Sequence, residues 1–521
     1  LAYNLTKLSI FFKMKKLLSA LFIASLFWSC NNTETPSKTE NEETTYEANW
    51  ESLAKHTADP EWFHDSKLGI YFHWGVYSVP AYGSEWYPFR LYRTNEFPDY
   101  KEYHEKNYGP LEEFGYHDFI PMFKAENFDA NSWADLFKAA GAKFAGPVAQ
   151  HHDGFAMWDS EINPWNSADM GPKKDITGEI LSALKERGLK TMTSFHHARL
   201  RQRHDGDSTK WDTYNSHFAY NPKYPSSSED AELKKFYGNM PQEEFDQYWL
   251  DQVNEVVDKY SPDMLWYDVW LNHVSEDKIK EMSAYFLNNG LKTGQEPVLI
   301  AKHDDLPKNM SVLDIEQGGK KDVSETVWMT DITVSDKGSW CYTHGQVYKS
   351  PELLLRNMID VWAKNGVVLL NVSPLANGTI NQEQRDLLTT VGGWLDTYGE
   401  AVYGTRPFHI YGFGHAKAED GAHGGQSAKV KYNAGDIRFT TSKDKKALYV
   451  FLLGKPEPGE VIKLGKLNNI GYGPATPVKR VVELKSGKEV EWEKTERTHM
   501  FTIPEDVELS GLANVFKMEL E

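Results

Sequence analysis

Residues 143–155 read KFAGPVAQHHDGF. From Phe144 to Gln150 the run is short and almost wholly apolar, the pattern of a strand buried on both faces. It passes without a spacer into His151, His152 and Asp153. A buried strand therefore delivers polar side chains at its C-terminal end.

The same pattern recurs outward from this point. Leu68–Phe72 leads to His73, Lys190–Phe195 to His196 and His197, and Met264–Tyr267 to Asp268. Val298–His303, Val312–Glu316, Trp328–Val334 and Val367–Pro374 read as further strands, carrying His303, Glu316 and Asn371 at or near their ends. Helical stretches alternate with them: Ser132–Ala142, a helix capped by Asp175, Glu243–Tyr260, and one starting at Ser275. Two more follow, one opening at Ser350-Pro351 and one capped by Asn381 and Gln384 and running to about Tyr398. Alternating strands and helices predict a parallel α/β fold. Polar groups gathered at strand C-termini select a (β/α)8-like TIM barrel over a doubly wound sheet, because a barrel converges those ends on one face. No strand is followed by Gly-x-Gly-x-x-Gly or a Walker loop, which counts against a nucleotide site, and no cofactor is predicted.

Beyond residue 405 the helical period disappears. Ala447–Gly454, Val478–Leu484, Glu489–Glu493 and His499–Ile503 read as strands, with Lys485–Lys488 as a hairpin turn. The organisation predicted is a barrel over 49–404 and a C-terminal antiparallel β-sandwich over 405–521.

The first 48 residues read differently. Residues 1–13 are expected to be upstream translation ahead of a start at Met14. Lys15 and Lys16 precede an apolar stretch from Leu17 to Trp28, which is short against the roughly 20 residues of a membrane span. It ends at Cys30 and resembles a loose bacterial lipoprotein box, with the cysteine as the lipidated residue; an ordinary signal peptide is the alternative. Residues 1–30 are thus upstream residues plus signal, and 31–48, polar and rich in Thr, Glu and Asn, a flexible tether. An exported lipoprotein is expected, on the periplasmic face of the outer membrane or the cell surface, touching the membrane through its lipid alone. Cys341, the second of two cysteines, is then a free buried thiol.

Composition narrows the partners. The 521 residues are 40% hydrophobic and 25% charged, an ordinary globular mix. A net charge of −18 makes the chain a poor binder of phosphate backbones, so no nucleic-acid partner is expected. Aromatics reach 13%, and their faces suit the C–H faces of sugars as well as cores.

Asp268 follows an apolar strand between Trp266 and Trp270. A carboxylate among aromatics at a barrel mouth suits a nucleophile on a sugar; a helix-capping Asp fits the same spacing. Glu316 and Glu325 are candidates for the second carboxylate that glycoside hydrolysis requires. Paired His151 and His152 suit sugar hydroxyls, as donors and acceptors together. A third metal ligand at a persuasive spacing is missing from the sequence, so no metal is predicted. His73, Glu85 and Trp86 add polar groups beside flat rings.

These pieces together resemble the glycoside hydrolase family 29 α-L-fucosidases. The resemblance runs over about residues 50–405 and rests on WFHDSKLGIYFHWGVYSVP, EWY at 85–87, KFAGPVAQHHDGFAMWDS, PDMLWYD and NGVVLLNVSPLANGTI. It implies an exo-acting retaining hydrolase on a glycan, with Asp268 as nucleophile. By the same resemblance His73, Glu85, Trp86, His151, His152 and Trp266 hold the sugar and Trp340 walls the pocket. Many relatives place the acid/base Glu just after a Trp, where this chain has Trp328-Met329; Glu316, 48 positions after Asp268, suits the earlier placement, with Glu325 second. Lys302 stands where many relatives have an Asn-Asp-Arg segment, and His196 where they have a Tyr-rich one. With Arg199, those two cations extend the expected substrate to a sulfated fucose-like residue. The alternatives are an α-L-galactosidase-type hydrolase on the same fold and a non-catalytic glycan-binding surface lipoprotein.

Overall fold

The computed structural model describes residues 45–421, 429–468, 477–496 and 498–521. The signal-like run from Met14, Cys30 and the tether to Thr44 lie outside them. Eight parallel strands close into a barrel in sequence order. They are β1 (Leu68–Phe72), β2 (Phe144–Gln150), β3 (Lys190–Phe195), β4 (Met264–Tyr267), β5 (Val298–Lys302), β6 (Val312–Asp314), β7 (Trp328–Thr333) and β8 (Gly366–Val372). β8 pairs back onto β1 with Leu68 opposite Val368, which closes the ring.

Alternate residues of a strand face opposite sides, and here the two sets have separate destinations. Tyr71, Met192, Trp266, Ile300, Met329 and Leu369 pack into the barrel interior. Ile70, Leu265, Leu299, Trp328 and Leu370 join the layer beneath the helices. Counting two residues onward along the inward set arrives at the strand ends with His73, Asp268, Lys302, Asp331 and Asn371. The period of the strand thus decides which polar groups reach the C-terminal face.

The helices lie where the sequence predicts, with local differences. The first begins at Ala130 rather than Ser132, because Asp129 caps it by accepting from the N–H groups of Asn131 and Ser132. Asp175, Ser350 and Asn381 cap their helices as expected. Strand β6 is shorter than read: it ends at Asp314, and Glu316 sits in the turn beyond it. Among the described residues no helix is long and apolar enough to cross a membrane.

The C-terminal strands form two antiparallel sheets. One has the order β13-β16-β11-β10-β9 and the other β12-β15-β14. Their ranges are β9 Thr405–Phe413, β10 Ile437–Ser442, β11 Ala447–Leu452, β12 Val461–Leu464, β13 Val478–Glu483, β14 Trp492–Lys494, β15 His499–Thr502 and β16 Asn514–Leu520. Phe439, Val450 and Phe516 of the first sheet share a core with Ile462, Leu464 and Phe501 of the second, a sandwich. The Lys485–Lys488 hairpin forms, with Gly487 at φ 68° donating to the Glu483 carbonyl. The strand read at Glu489–Glu493 is split, because the chain changes sheets there. Glu489 bridges Val482, whereas Trp492 pairs with Phe501.

Candidate active site

The C-terminal face of the barrel opens into a cavity of about 320 Å³. His73, Glu85, Trp86, His151, His152, His196, Trp266, Asp268, Lys302, Glu316 and Trp340, all expected from the sequence, line it. Asp268 is the centre. Its Oδ2 lies 3.2 Å from His152 Nε2 and 3.2 Å from His196 Nδ1, and its Oδ1 lies 3.1 Å from Lys302 Nζ. Burial alone would push this carboxyl up. The Lys302 ammonium, His196 and the two imidazole hydrogen bonds outweigh it and hold Asp268 well below the usual carboxylate range.

Lys302 closes β5 and is buried. Besides Asp268 it reaches Glu316 Oε2 at 2.8 Å and Asp331 Oδ2 at 3.3 Å. Burial works against its charge, but Asp268, Asp331, Glu316 and Asp314 together raise its pKa well above the ordinary lysine value. Asp331 on β7 also accepts from the Tyr71 hydroxyl at 2.9 Å. Asp314, buried beside Asp331, has its pKa raised well above the usual value, first by burial and then by that neighbouring carboxylate. The cluster is thus one ammonium set among Asp268, Glu316 and Asp331, with Asp314 buried beside Asp331.

The imidazoles form the opposite wall. His73 Nδ1 is 2.8 Å from Asn371 Oδ1, and that oxygen also accepts from the His73 N–H. His152 Nδ1 contacts the His196 carbonyl, and His196 Nε2 is 3.2 Å from Ser194 Oγ. Burial first, and then the neighbouring imidazoles, lower His73 and His151 well below the ordinary histidine range, and His152 is lowered to about 4, chiefly by burial. Neutral imidazoles can both give and take hydrogen bonds from hydroxyls. His151 Nδ1 and Trp266 Nε1 are buried without a protein partner. Glu85, pushed up by burial, accepts from the Trp340 and Cys341 N–H groups at 3.0 and 3.3 Å, so the β7 loop is locked to the β1 loop. Cys341 is a free buried thiol, as expected.

Among the described residues two groups have metal-ligand chemistry: His73, His151 and His196, whose donor atoms lie within 4.8 Å of one another, and His152, His196 and Asp268. The Lys302 ammonium 3.1 Å from Asp268 opposes a second cation in the latter group.

Glu325 is not brought to the cavity. It is exposed and precedes β7, at the strand starts, next to Ser324, whose N–H donates to the Lys364 carbonyl. Met329 is fully buried within the barrel interior. Arg199 is fully buried, its guanidinium stacked 4.7, 4.2 and 4.1 Å from the rings of Trp86, Tyr214 and Trp270, which do line the cavity. Tyr71, Asp331, Tyr214 and Arg90 also line it and went unread in the sequence. For Tyr71 and Asp331 a signal existed: each sits two residues from an inward-facing position on its own strand.

A family model described as Alpha-L-fucosidase matches residues 33–400. The rat tissue alpha-L-fucosidase is 29% identical over 431 residues, covering 80% of each chain. A putative alpha-L-fucosidase of Caenorhabditis elegans is 32% identical over 378 residues, covering 70% of each. The crystal structure of the Thermotoga maritima alpha-fucosidase superposes with a TM-score of 0.71 at 30% identity, over 91% of this chain and all of that one. The same Thermotoga enzyme has also been seen in complex with fucose.

Proposed function

The chain belongs to the α-L-fucosidase family of glycoside hydrolases, and we propose that it removes terminal α-L-fucose from glycans by a retaining double displacement. The observation that carries the mechanism is the bridging of Asp268 and Glu316 by one ammonium. The Asp268 and Glu316 oxygens that touch this nitrogen lie at most about 6 Å apart, which suits retention (about 5–5.5 Å) better than inversion (about 6.5–9.5 Å).

In the first step an Asp268 oxygen attacks the anomeric carbon, the bond to the leaving oxygen breaks, and Glu316 gives that oxygen its proton. In the second step Glu316 takes a proton from water, the water oxygen attacks the same carbon, and Asp268 departs as a carboxylate. Lys302 and the two imidazoles hold Asp268 as the carboxylate that the attack requires. The imidazole wall and the free Trp266 N–H hold the sugar hydroxyls.

A sulfated sugar finds less support. Lys302 is committed to three carboxylates, His196 to Asp268, and Arg199 to aromatic rings. The non-catalytic alternative drew on Met329, which lies in the barrel interior and is remote from proton transfer. Lipidation at Cys30 stays part of the proposal on its sequence pattern, and loss of palmitate labelling in Cys30→Ala would support it.

The test is hydrolysis of an aryl α-L-fucoside, an aryl α-L-galactoside and a sulfated aryl fucoside, with Asp268→Ala alongside. Fucoside turnover that vanishes in the variant is expected. Turnover of the galactoside or sulfated compound alone would replace the substrate, and an active Asp268→Ala would remove the mechanism.

A further inference from the structure

On β7, Met329 packs into the apolar barrel interior, and Asp331, two positions on, is a carboxylate only 1% exposed. A buried carboxylate is costly unless its partners match it, so the partners of Asp331 bear on what it does. We propose that Asp331 is a positioning residue for the acid step. It fixes the Lys302 ammonium against Glu316 Oε2, so that Oε1 is the oxygen that carries the acid's proton. The inference rests on the fucosidase reading and on Glu316 as its acid.

The ammonium gives the first argument. It has three N–H donors and no acceptor. Three carboxylate oxygens stand around it, one for each donor: Glu316 Oε2 at 2.8 Å, Asp268 Oδ1 at 3.1 Å and Asp331 Oδ2 at 3.3 Å. The Trp266 ring centre lies 4.9 Å from the same nitrogen. Asp268 loses its charge when it is esterified, and Glu316 changes its own when it gives up a proton. Asp331 forms no bond to the sugar and is the constant partner through the cycle. An N–H aimed at Oε2 leaves Oε1 as the place for the proton that goes to the leaving oxygen.

The anchor of Asp331 gives the second. The oxygen that meets Lys302 of β5 also accepts from the Tyr71 hydroxyl of β1 at 2.9 Å. Tyr71 is fully buried, with its ring 5.9 Å from that of Trp266 and 6.2 Å from that of Trp340. A carboxylate tied to so fixed a hydroxyl is a fixed point for the ammonium in turn.

The backbone gives the third. Strand β6 ends at Asp314, so Glu316 lies in the turn beyond it and β7 holds that turn. The Ile315 N–H donates to the Met329 carbonyl at 2.9 Å, and the Gln317 N–H to the Asp331 carbonyl at 2.8 Å. The Thr330 hydroxyl donates to the Ile315 carbonyl at 2.7 Å. Glu316 thus stands between two main-chain bonds to β7, and Asp331 grips it twice, by its carbonyl and, through Lys302, by its side chain. Substitution at 331 removes the second grip and leaves the first.

The experiment measures kcat/KM on a series of aryl α-L-fucosides whose leaving phenols run from strongly to weakly acidic. A weakly acidic phenol needs the acid's proton to leave, and a strongly acidic one does not. Asp331→Asn keeps the shape of the side chain and removes its charge. In this variant kcat/KM on the poorest leaving group should fall by about tenfold or more relative to the best, because proton delivery is what suffers. A merely structural role would lower the whole series alike. A wild type that cleaves the series, with that ratio within about twofold of it in Asp331→Asn, overturns the positioning role and leaves the fucosidase reading standing. A wild type that cleaves none of the series overturns both. Should Asp331→Asn fail to fold by circular dichroism, Tyr71→Phe, which removes only the hydroxyl that anchors Asp331, decides by the same ratio: a fall of about threefold or more supports the role, and a smaller one overturns it.

Discussion

Lys302 is the residue on which the site turns, since its buried ammonium contacts Asp268, Glu316 and Asp331 together. Replacing it by Met leaves those carboxylates without their common cation. Lys302→Met should cost about 3–5 kcal/mol at neutral pH, as measured by urea denaturation. Part of that loss should be recovered on acidification, because protonation removes the uncompensated charge. Glu316→Ala should spare aryl fucosides with good leaving groups far more than disaccharides, and azide should restore turnover on the former. The same pattern in Glu325→Ala would transfer the acid role to that residue. Asp268, the histidines and Glu316 were legible in the sequence because polar groups at the ends of apolar runs stand out. The Lys302 bridge was not, because it depends on neighbours across strands: the register that sets Lys302 beside Asp314 is a tertiary fact. Buried and half-buried histidines away from the cavity set a second pH dependence. Burial is the leading cause that lowers His56 to about 4 and His64, His197 and His273 to about 3. An unfolded chain takes up protons on these groups below about 6.5, while the folded chain does not until about 3–4. Their contribution is therefore complete above pH 6.5 or so and is lost as pH falls through that window. The midpoint of thermal unfolding should decline between about pH 6.5 and pH 4, and a flat profile there would contradict the assignment.

At the scale of elements, strands and helices were legible from periodicity and caps, and the turns between them were not. Three successive strand ends, after β4, β5 and β6, turn through a non-glycine residue at positive φ: Trp270 at 73°, His303 at 55° and Gln317 at 43°. Nothing in the residue types announces this, since Trp is among the side chains least expected in such a conformation. The gain is positional: Trp270 stands 4.1 Å from the Arg199 guanidinium and 5.7 Å from the His152 ring. Trp270→Ala and Trp270→Gly remove the same ring, but Gly also relieves the backbone. Trp270→Gly should therefore be more stable than Trp270→Ala by about 1 kcal/mol in denaturant midpoint, with both impaired in turnover. Equal stability would mean that the turn carries no strain. Gly146 was equally silent in the sequence. A Cβ there would lie 1.7 Å from the Met192 carbonyl, so the tight β2–β3 pairing that presents His151, His152 and His196 requires glycine.

The molecule as a whole is legible in outline, a barrel then a sandwich, but the sequence does not tell whether the two stand apart. From Thr45 onward the described residues form one compact unit. The reason lies in β11, whose alternate residues serve two cores. Tyr449 and Phe451 pack with the barrel's helical layer, and Leu448, Val450 and Leu452 with the sandwich. Phe451 lies 6.4 Å from Trp394 on the last barrel helix, and the Trp394 indole N–H donates to the Ala513 carbonyl. A buried ionic cluster crosses the same junction: Arg438 of β10 reaches Asp360 at 2.5 Å, and Asp360 holds Lys364 at 2.8 Å. One sheet thus supplies a face to each core, and neither core is complete without it. Denaturant should unfold the two regions in a single transition, seen alike by tryptophan fluorescence and far-ultraviolet circular dichroism. Arg438→Met strips one partner from the buried cluster and should lower that single midpoint by the equivalent of about 3–5 kcal/mol, with the slope unchanged. Two separated transitions, or a loss confined to one probe, would show that the barrel stands without the sandwich.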